Sequence, residues 1–179
     1  WIMSQQRMIR LGIGALLALN LIGWDTPAQS TPVQAQGTGT FDCAAVTEIP
    51  QTECEALVAF YISTDGANWY NNTGWLHTVT PCSWFGVTCD VGHVSRLEMD
   101  QNYLNGPLPP ALANLTELRV LSLTFTGLTG EIPAEISDLA NLLRLNLSGD
   151  LLSGPIPATL SNLTNLEGLF LYRNQLSGP

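Results

Sequence analysis

Apolar residues recur along the second half of the chain with a fixed period. Units that begin at residues 94, 118, 142 and 166 lie 24 residues apart, and three full copies align without a gap. Their shared spacing is L-x-x-L-x-L-x-x-N-x-L, followed by G-x-[IL]-P and a second leucine-bearing segment. Such a period indicates a solenoid, in which each unit buries its apolar face against the next unit.

Alternation within each unit predicts a short strand, because every second residue of a strand lies on the same face. The G-x-[IL]-P segments break helix and favour extended backbone, and the segment after them returns along the convex side. We expect the stacked strands to form one parallel sheet with the core-facing pairs Leu97/Met99, Leu121/Leu123, Leu145/Leu147 and Leu169/Leu171.

The consensus asparagine after each strand is present as Asn102 and Asn174, where it can turn the chain and bond to the neighbouring coil. Thr126 and Asp150 occupy the same position in the two middle units. Neither side chain carries the amide N–H donors of asparagine, so we expect weaker hydrogen bonding at these two positions.

A capping unit precedes the repeats. Thr52 and Glu55 form a T-x-x-E capping box, which predicts a helix over residues 53–63 that stops near Gly66. The apolar stripe of this helix would close one end of the core, and consists of Cys54, Leu57, Val58 and Tyr61. Four aromatic residues follow, and we expect them to fill the core of the cap rather than form an exposed sugar-stacking platform: Trp69, Trp75, Trp84 and Phe85.

The first 35 residues have the features of an export signal. Arg7 and Arg10 precede an apolar run over residues 11–24, which as a helix would span about 21 Å, short of the ~30 Å hydrocarbon core. We expect cleavage after Ala35, with Ala28 as the alternative site and an uncleaved anchor helix as the competing interpretation. The predicted division is a signal peptide at 1–35, a cap at 36–93 and repeats at 94–179.

Export places the four cysteines in an oxidising compartment, where an even number favours two disulfides. Of the three possible connectivities we favour Cys43–Cys54 with Cys82–Cys89, because these closures are local. A zinc site made by His77, Cys82, Cys89 and His93 is the alternative, but no C-x-x-C spacing supports it. We therefore expect no metal and no cofactor.

The charge of the chain excludes some classes of partner. Arginine supplies all six basic residues and lysine is absent, whereas fifteen residues are acidic, so the formal net charge is -9. Nucleic-acid binding depends on many cations that neutralise phosphates. A nucleic acid or an anionic membrane surface is therefore not expected as a partner, and a membrane association would require an anchor elsewhere in the protein.

The repeat consensus x-L-[ST]-G-x-[IL]-P-x-x-[LI] resembles plant-type leucine-rich repeats, and "PCSWFGVTC" with the preceding "STDGANWYNNTGWL" resembles the N-terminal capping domain of that class. The resemblance covers residues 43–179. It implies an α/β solenoid, a right-handed coil with one parallel sheet on its concave face and a disulfide-bonded helical cap. It also implies a secreted or cell-surface protein that binds an extracellular protein or peptide, with a glycan left open. Family members include ectodomains of receptor-like kinases, secreted inhibitors of cell-wall-degrading enzymes and other exported repeat proteins.

Members of this family usually bind through the concave face of the sheet, so we expect the ligand to contact outward positions of the strands. Phe170, Tyr172 and Arg173 would make an aromatic and basic patch on the last strand, with residue types that anchor interfaces. The full set of candidate ligand-binding residues is Arg96, Glu98, Asp100, Ser122, Thr124, Phe125, Arg144, Asn146, Phe170, Tyr172 and Arg173.

Two other functions were weighed against ligand recognition. Glu98 and Asp100 share a face and could serve as an acid/base pair for glycoside hydrolysis, but no nucleophile–histidine arrangement or deep pocket accompanies them. A flat binder of ice or polysaccharide would repeat one residue type down each column, which this chain does not do. We therefore predict a non-catalytic binding module.

The fourth unit reaches Pro179 before its return segment. We accordingly expect its core-facing residues to lack a covering repeat, since solenoids need caps at their ends, and we expect the chain to be part of a longer repeat protein. The residues concerned are Leu166, Leu169, Leu171 and Leu176.

Overall fold

One short strand from each repeat builds the framework of the fold. The computed structural model describes residues 41–178, so the predicted signal peptide at 1–35 lies outside the described residues. The cap contributes one α-helix and an antiparallel strand, each of the four repeats contributes two strands, and the first three repeats also contribute a convex 3₁₀ turn. The elements are α1 (Gln51–Ser63), β1 (Val87–Asp90), β2 (His93–Glu98), β3 (Gly106–Pro107), β4 (Val120–Ser122), β5 (Leu128–Glu131), β6 (Arg144–Asn146), β7 (Leu151–Pro155), β8 (Gly168–Phe170) and β9 (Gln175–Ser177).

The concave sheet has the strand order β1-β2-β4-β6-β8. Strand β1 of the cap pairs antiparallel with β2, and the remaining pairs are parallel. Their register places Leu97 beside Leu121, Leu121 beside Leu145 and Leu145 beside Leu169. The 24-residue period therefore sets the register directly, because each leucine lies beside its own counterpart in the next coil.

A second parallel sheet accompanies the predicted concave one. Strands β3, β5, β7 and β9 pair in that order and lie at or just before the regularly spaced glycines of the four repeats, Gly106, Gly130, Gly154 and Gly178. The sequence indicated extended backbone there. Extended segments stacked at a constant period can pair with the same segment of the next coil, which satisfies their backbone N–H and C=O groups. The prediction considered only the alternating leucines and missed this pairing.

The core follows the predicted inward positions in the first three repeats. Their six strand residues, from Leu97 to Leu147, are fully buried. In the fourth unit Leu169 is 45% exposed, and Leu166, Leu171 and Leu176 are half-buried. The apolar face of the last coil is thus open to solvent, as we expected from the sequence.

Helix α1 forms where predicted and ends at Ser63, as expected, but it begins at Gln51, two residues earlier than expected. It begins after Pro50, which caps it without a side-chain hydrogen bond, so the predicted capping box is wrong. Glu55 instead accepts a hydrogen bond from the side chain of Gln51 at 2.8 Å, one turn earlier. At the other end Asp65, not Gly66, takes the left-handed conformation, with φ 59°. Gly66 is required for space, because a side chain there would collide with the ring of Tyr61.

Aromatic residues fill the cap, as predicted for three of the four. Trp69, Trp75 and Trp84 are at most 5% exposed, and the rings of Trp75 and Trp84 lie 4.9 Å apart. The indole N–H groups of Trp69 and Trp75 donate to backbone carbonyls at 2.8 and 2.9 Å, so their burial leaves no polar group unpaired. The prediction is wrong for Phe85, which is 38% exposed and supplies one of those carbonyls.

Two disulfides close the cap with the favoured connectivity, Cys43–Cys54 and Cys82–Cys89. The first joins α1 to the 3₁₀ turn before it, and the second joins the turn at Pro81–Ser83 to β1. Because Cys82 and Cys89 are bonded to each other, their sulfurs are not available as thiolates. The alternative zinc site is therefore excluded.

A buried carboxylate connects the cap helix to the first repeat strand. Glu53 of α1 is 2% exposed, and its two oxygens accept from the backbone N–H of Val94 at 2.8 Å and contact His93 Nδ1 at 2.6 Å. The hydrogen bond to Glu53 raises the pKa of His93 above its usual value. Since a buried carboxylate requires such partners, this contact helps to hold α1 against β2.

The asparagine position after each strand is filled in three different ways. Asn174 accepts from the backbone N–H of Leu152 at 3.1 Å and donates to the carbonyls of Leu147 and Leu171 at 2.6 and 3.0 Å. Asn102 instead exchanges hydrogen bonds with the backbone of Asn71 in the cap. The same side chain thus joins coil to coil in one place and coil to cap in the other.

Asp150 fills this position with a carboxyl group that is only 4% exposed. Its Oδ1 accepts from Thr126, both N–H and hydroxyl, and from the N–H groups of Gly127 and Leu128, at distances of 2.8 to 3.3 Å. Among the described residues, Oδ2 is the buried side-chain oxygen without a hydrogen-bond partner. Burial raises the pKa of Asp150 although these hydrogen bonds oppose the shift. The protonated form can donate from Oδ2, as the amide of Asn174 does.

The disulfide of β1 gives a first prediction. Replacing Cys82 and Cys89 together by serine should lower the free energy of unfolding by about 2–4 kcal/mol, because the unfolded chain loses its cross-link. Denaturant titration of both proteins measures the difference. Equal stability of the two proteins would show that the disulfide does not constrain the unfolded chain.

The carboxyl group of Asp150 gives a second prediction, with a sign set by its raised pKa. The folded protein binds this proton more tightly than the unfolded chain does. The contribution to stability is therefore complete below the unfolded pKa of about 3.9 and is lost as pH rises through the folded pKa. Asp150→Asn should match the native protein at acidic pH and exceed it by about 1–3 kcal/mol at neutral pH.

Denaturant titrations of both proteins from pH 3 to pH 8 test this difference. Comparing the two proteins at each pH cancels the contribution of His93 to the free energy of unfolding. That contribution is also lost as pH rises, but at higher pH, because the pKa of His93 is raised as well. A lower stability of Asp150→Asn at pH 7 would show that Asp150 is held as a carboxylate.

Candidate ligand-binding face

A shallow depression of about 610 Å³ lies on the concave sheet. It crosses strands β2, β4, β6 and β8, so neighbouring coils present their outward residues to the same space. Charged and polar side chains surround an apolar component made by Val120, Leu143 and Phe170. The complete lining is Arg96, Glu98, Asp100, Val120, Ser122, Leu143, Arg144, Asn146, Glu167, Gly168 and Phe170.

The charges of β2 are already paired within the protein. Arg96 donates to both oxygens of Glu98 at 2.9 Å, which raises the pKa of Arg96. Asp100 accepts from the hydroxyl and the backbone N–H of the next coil, at Ser122 and Thr124, both at 2.8 Å. This end of the depression is therefore a hydrogen-bonded polar rim, in which Arg96 and Glu98 pair with each other and Asp100 has neutral donors as its partners.

Arg144 is the arginine of the depression that forms no salt bridge with the described part of the chain. Its guanidinium lies over the ring of Phe170, 5.0 Å from the centroid. The ring takes this position because residue 168 is glycine, and a Cβ there would approach the ring to 2.8 Å. A cation held over an aromatic face keeps its N–H groups directed at the solvent, where they can bind an acceptor.

A second arginine–phenylalanine pair lies beside the depression. Arg173 is placed over the ring of Phe125, at 6.0 Å from the centroid. One coil of the solenoid lies between the two residues. The ring of Phe125 extends over this coil at Gly149, where any side chain would collide with the ring. Arg144 and Arg173 are, within residues 41–178, the arginines that make no salt bridge.

The sequence-predicted residues are divided by the structure. Seven of the eleven line the depression, from Arg96 to Phe170, while Thr124, Phe125, Tyr172 and Arg173 do not. The expected patch on the last strand is split, because Phe170 turns toward Arg144 and Arg173 toward Phe125. Whether these residues bind a ligand stays a prediction.

Four lining residues are absent from the predicted set, namely Val120, Leu143, Glu167 and Gly168, and two of them lie outside the strands. Leu143 and Glu167 directly precede strands β6 and β8, at the same position of successive repeats. The prediction counted outward positions only from the first strand residue onward. Alternation does not find them, because it assigns residues 143 and 167 to the inward face together with Leu145 and Leu169.

The candidate acid/base pair has other partners. Glu98 binds Arg96, and Asp100 binds the coil of β4, so neither carboxylate is held for proton transfer. Across residues 41–178, no group of three His, Cys, Asp or Glu side chains is arranged to hold a metal ion. Within the same range, the single α-helix is too short to span a bilayer.

Comparison with known families agrees with the fold. The Leucine rich repeat N-terminal domain family matches residues 50–90, and the Leucine Rich Repeat family matches residues 117–139. A probable leucine-rich repeat receptor-like protein kinase of Arabidopsis thaliana is 39% identical over 72 residues, which is 40% of this chain and 10% of that protein. The chain thus spans about a tenth of the length of this relative.

Solved structures show the same architecture. The leucine-rich repeat ectodomain of the Arabidopsis receptor kinase SOBIR1 superposes with a TM-score of 0.63 and 28% identity, over 73% of this chain and 71% of that chain. The ectodomain of the Arabidopsis receptor kinase HAESA, solved with an IDA peptide hormone ligand, gives a TM-score of 0.61 and 34% identity, over 69% and 21% of the two chains. The repeat, the disulfide-bonded cap and these likenesses together identify the chain as a plant-type leucine-rich repeat protein with an N-terminal leucine-rich repeat cap.

Proposed function

We propose that this chain is part of an extracellular ectodomain of the receptor-kinase type, and that its concave face binds a peptide. The observation that carries the proposal is the depression across four strands, with Arg144 held over Phe170 at its centre. The likeness to ectodomains of receptor kinases supports the extracellular setting, as do the two disulfides, which persist in oxidising compartments.

The shape of the face suits an extended chain rather than a globular partner. Four strands spaced at ~4.8 Å, each showing about five residues at ~3.3 Å, present roughly 300 Å². A standard protein interface takes ~800 Å² from each partner. A peptide that lies across the strands can use the smaller area, because its backbone bonds to the polar rim and one or two side chains supply most of the affinity.

Arg144 and Phe170 form the natural anchor of this face. The ring offers apolar contact, and the guanidinium offers N–H donors that no carboxylate among residues 41–178 occupies. The pair is already assembled through Gly168, so little side-chain entropy is lost when a ligand binds. A peptide that places a hydrogen-bond acceptor beside an apolar side chain would match both groups.

The test uses peptides selected from a displayed random library on the immobilised chain, with affinities then measured by calorimetry. Phe170→Ala should weaken binding by at least about 1 kcal/mol, roughly a fivefold loss, because it removes the apolar half of the anchor. Gly168→Ala should weaken binding as well, since the new methyl group displaces the ring. Circular dichroism should show both variants folded.

Tyr172→Ala is the matched control, because this side chain is 56% exposed on the last coil and does not line the depression. It should bind the selected peptides with unchanged affinity. Selected peptides that bind the Phe170 and Gly168 variants as tightly as the native chain would place the site elsewhere and contradict the proposal.

A further inference from the structure

Two tyrosines on the outside of the molecule form a pair that neither the core nor the concave depression uses. Tyr70 of the cap is 81% exposed and Tyr103 of the first repeat is 71% exposed. Their ring centroids lie 6.3 Å apart with the planes at 59°. Neither residue lines the depression. We call this pair the tyrosine platform.

The backbone beneath the tyrosine platform is rigidly connected. Tyr70 N–H donates to the carbonyl of Asn102 at 3.0 Å. The buried amide of Asn102 accepts from Asn71 N–H at 2.7 Å and donates to the carbonyl of Asn71 at 2.8 Å. Three hydrogen bonds therefore hold the two tyrosine-bearing segments together, so the backbone positions from which the rings project are set before any ligand arrives.

Tyr103 is held in a conformation that its side chain does not favour. Its φ is 55°, in the left-handed region, where the Cβ of a bulky residue is crowded and glycine is preferred. Gly127 occupies the corresponding position of the next repeat, with φ 101°. A ring that is 71% exposed gains little from packing, so folding does not explain a tyrosine at this position. An exposed residue in an unfavourable backbone conformation indicates a binding site.

The two segments that carry the tyrosine platform are polar and uncharged, although Asp65 and Asp100 directly precede them. Residues 66–76 and 101–116, which carry the two tyrosines, contain no Asp, Glu, Lys or Arg, although the whole chain has a net charge of -9. Amide side chains are frequent instead, and those of Gln101 and Asn105 are exposed. A ligand with formal charge would find no complementary group in these segments.

The size of the tyrosine platform limits what can bind it. Two tyrosine side chains present roughly 300 Å², well below the ~800 Å² that each partner contributes to a standard protein interface. A second protein or a second copy of this chain would need further apolar contacts. One or two sugar rings match this area, because their C–H faces stack on aromatic rings while their hydroxyl groups bond to amides and tyrosine O–H groups.

We propose that the tyrosine platform of Tyr70 and Tyr103 binds a neutral oligosaccharide, separately from the peptide site on the concave face. The two rings contact the C–H faces of adjacent sugars. The exposed amides of Gln101 and Asn105 accept and donate hydrogen bonds to the hydroxyl groups at the edge of the tyrosine platform.

The experiment measures binding of defined sugars to the full chain made in the bacterial periplasm, so that the sequon at Asn71 beside Tyr70 stays unmodified. The panel consists of linear hexasaccharides of glucose, xylose, mannose and N-acetylglucosamine, with polygalacturonate as the acidic comparison. At least one neutral hexasaccharide should bind with a dissociation constant below roughly 1 mM. Its binding should shift the NMR signals of the rings of Tyr70 and Tyr103.

Variants separate binding from folding. Tyr70→Ala and Tyr103→Gly should each weaken sugar binding at least tenfold. Tyr103→Gly should also keep or raise the melting temperature, because glycine accepts the positive φ without strain. Tyr172→Ala, which removes another exposed tyrosine, should leave sugar binding unchanged, and so should the concave variant Phe170→Ala.

Several outcomes would overturn the proposal. Absence of binding to every neutral hexasaccharide in the panel would do so, as would a preference for polygalacturonate. A sugar site lost in Phe170→Ala but kept in Tyr103→Gly would move the ligand to the concave face. Dimerisation that depends on Tyr70 and Tyr103 would make this surface a contact between copies of the chain instead.

Discussion

The register between successive coils is the constraint on which the rest of the molecule depends. Each leucine of a strand pairs with the leucine 24 residues later, so inward positions stay inward along the whole sheet. A shift of one residue would turn the apolar side chains outward, and burial therefore enforces the period. The second sheet, the convex turns and the outward columns all inherit their positions from this register.

Buried polar side chains join neighbouring parts of the structure by hydrogen bonds, which leucine side chains cannot form. Asn174 supplies donors and acceptors between two coils, Asn102 does the same between the first repeat and the cap, and Asp150 supplies acceptors alone. Glu53 fills a comparable role where α1 meets β2. Loss of one of these contacts would destabilise the protein more than loss of a surface ion pair, because a buried donor or acceptor left unpaired costs free energy.

Two surfaces with different chemistry result from the same framework. The concave depression combines a hydrogen-bonded polar rim with one arginine held over a phenylalanine ring. The tyrosine platform offers aromatic area among uncharged amides, at the junction of cap and first repeat. In the depression, Gly168 leaves room for the ring of Phe170. In the tyrosine platform, Tyr103 adopts a left-handed backbone conformation that normally favours glycine. The scaffold thus keeps the proposed peptide site apart from the proposed sugar site.

The sequence by itself determined the period, the inward leucines and the cap helix, because these follow from spacing along the chain. It favoured one of three disulfide connectivities, and the structure decided for that one. It could not show the second sheet or the exposed position of Phe85, since both depend on packing in the folded chain. The predicted capping box is wrong for a local reason, because Glu55 bonds to Gln51 instead. The functional surfaces show the same division. Alternation identified the outward columns, but only the packed coils decided that Phe170 turns to Arg144 and that Tyr70 meets Tyr103, because side-chain direction is set by the space that neighbouring coils leave.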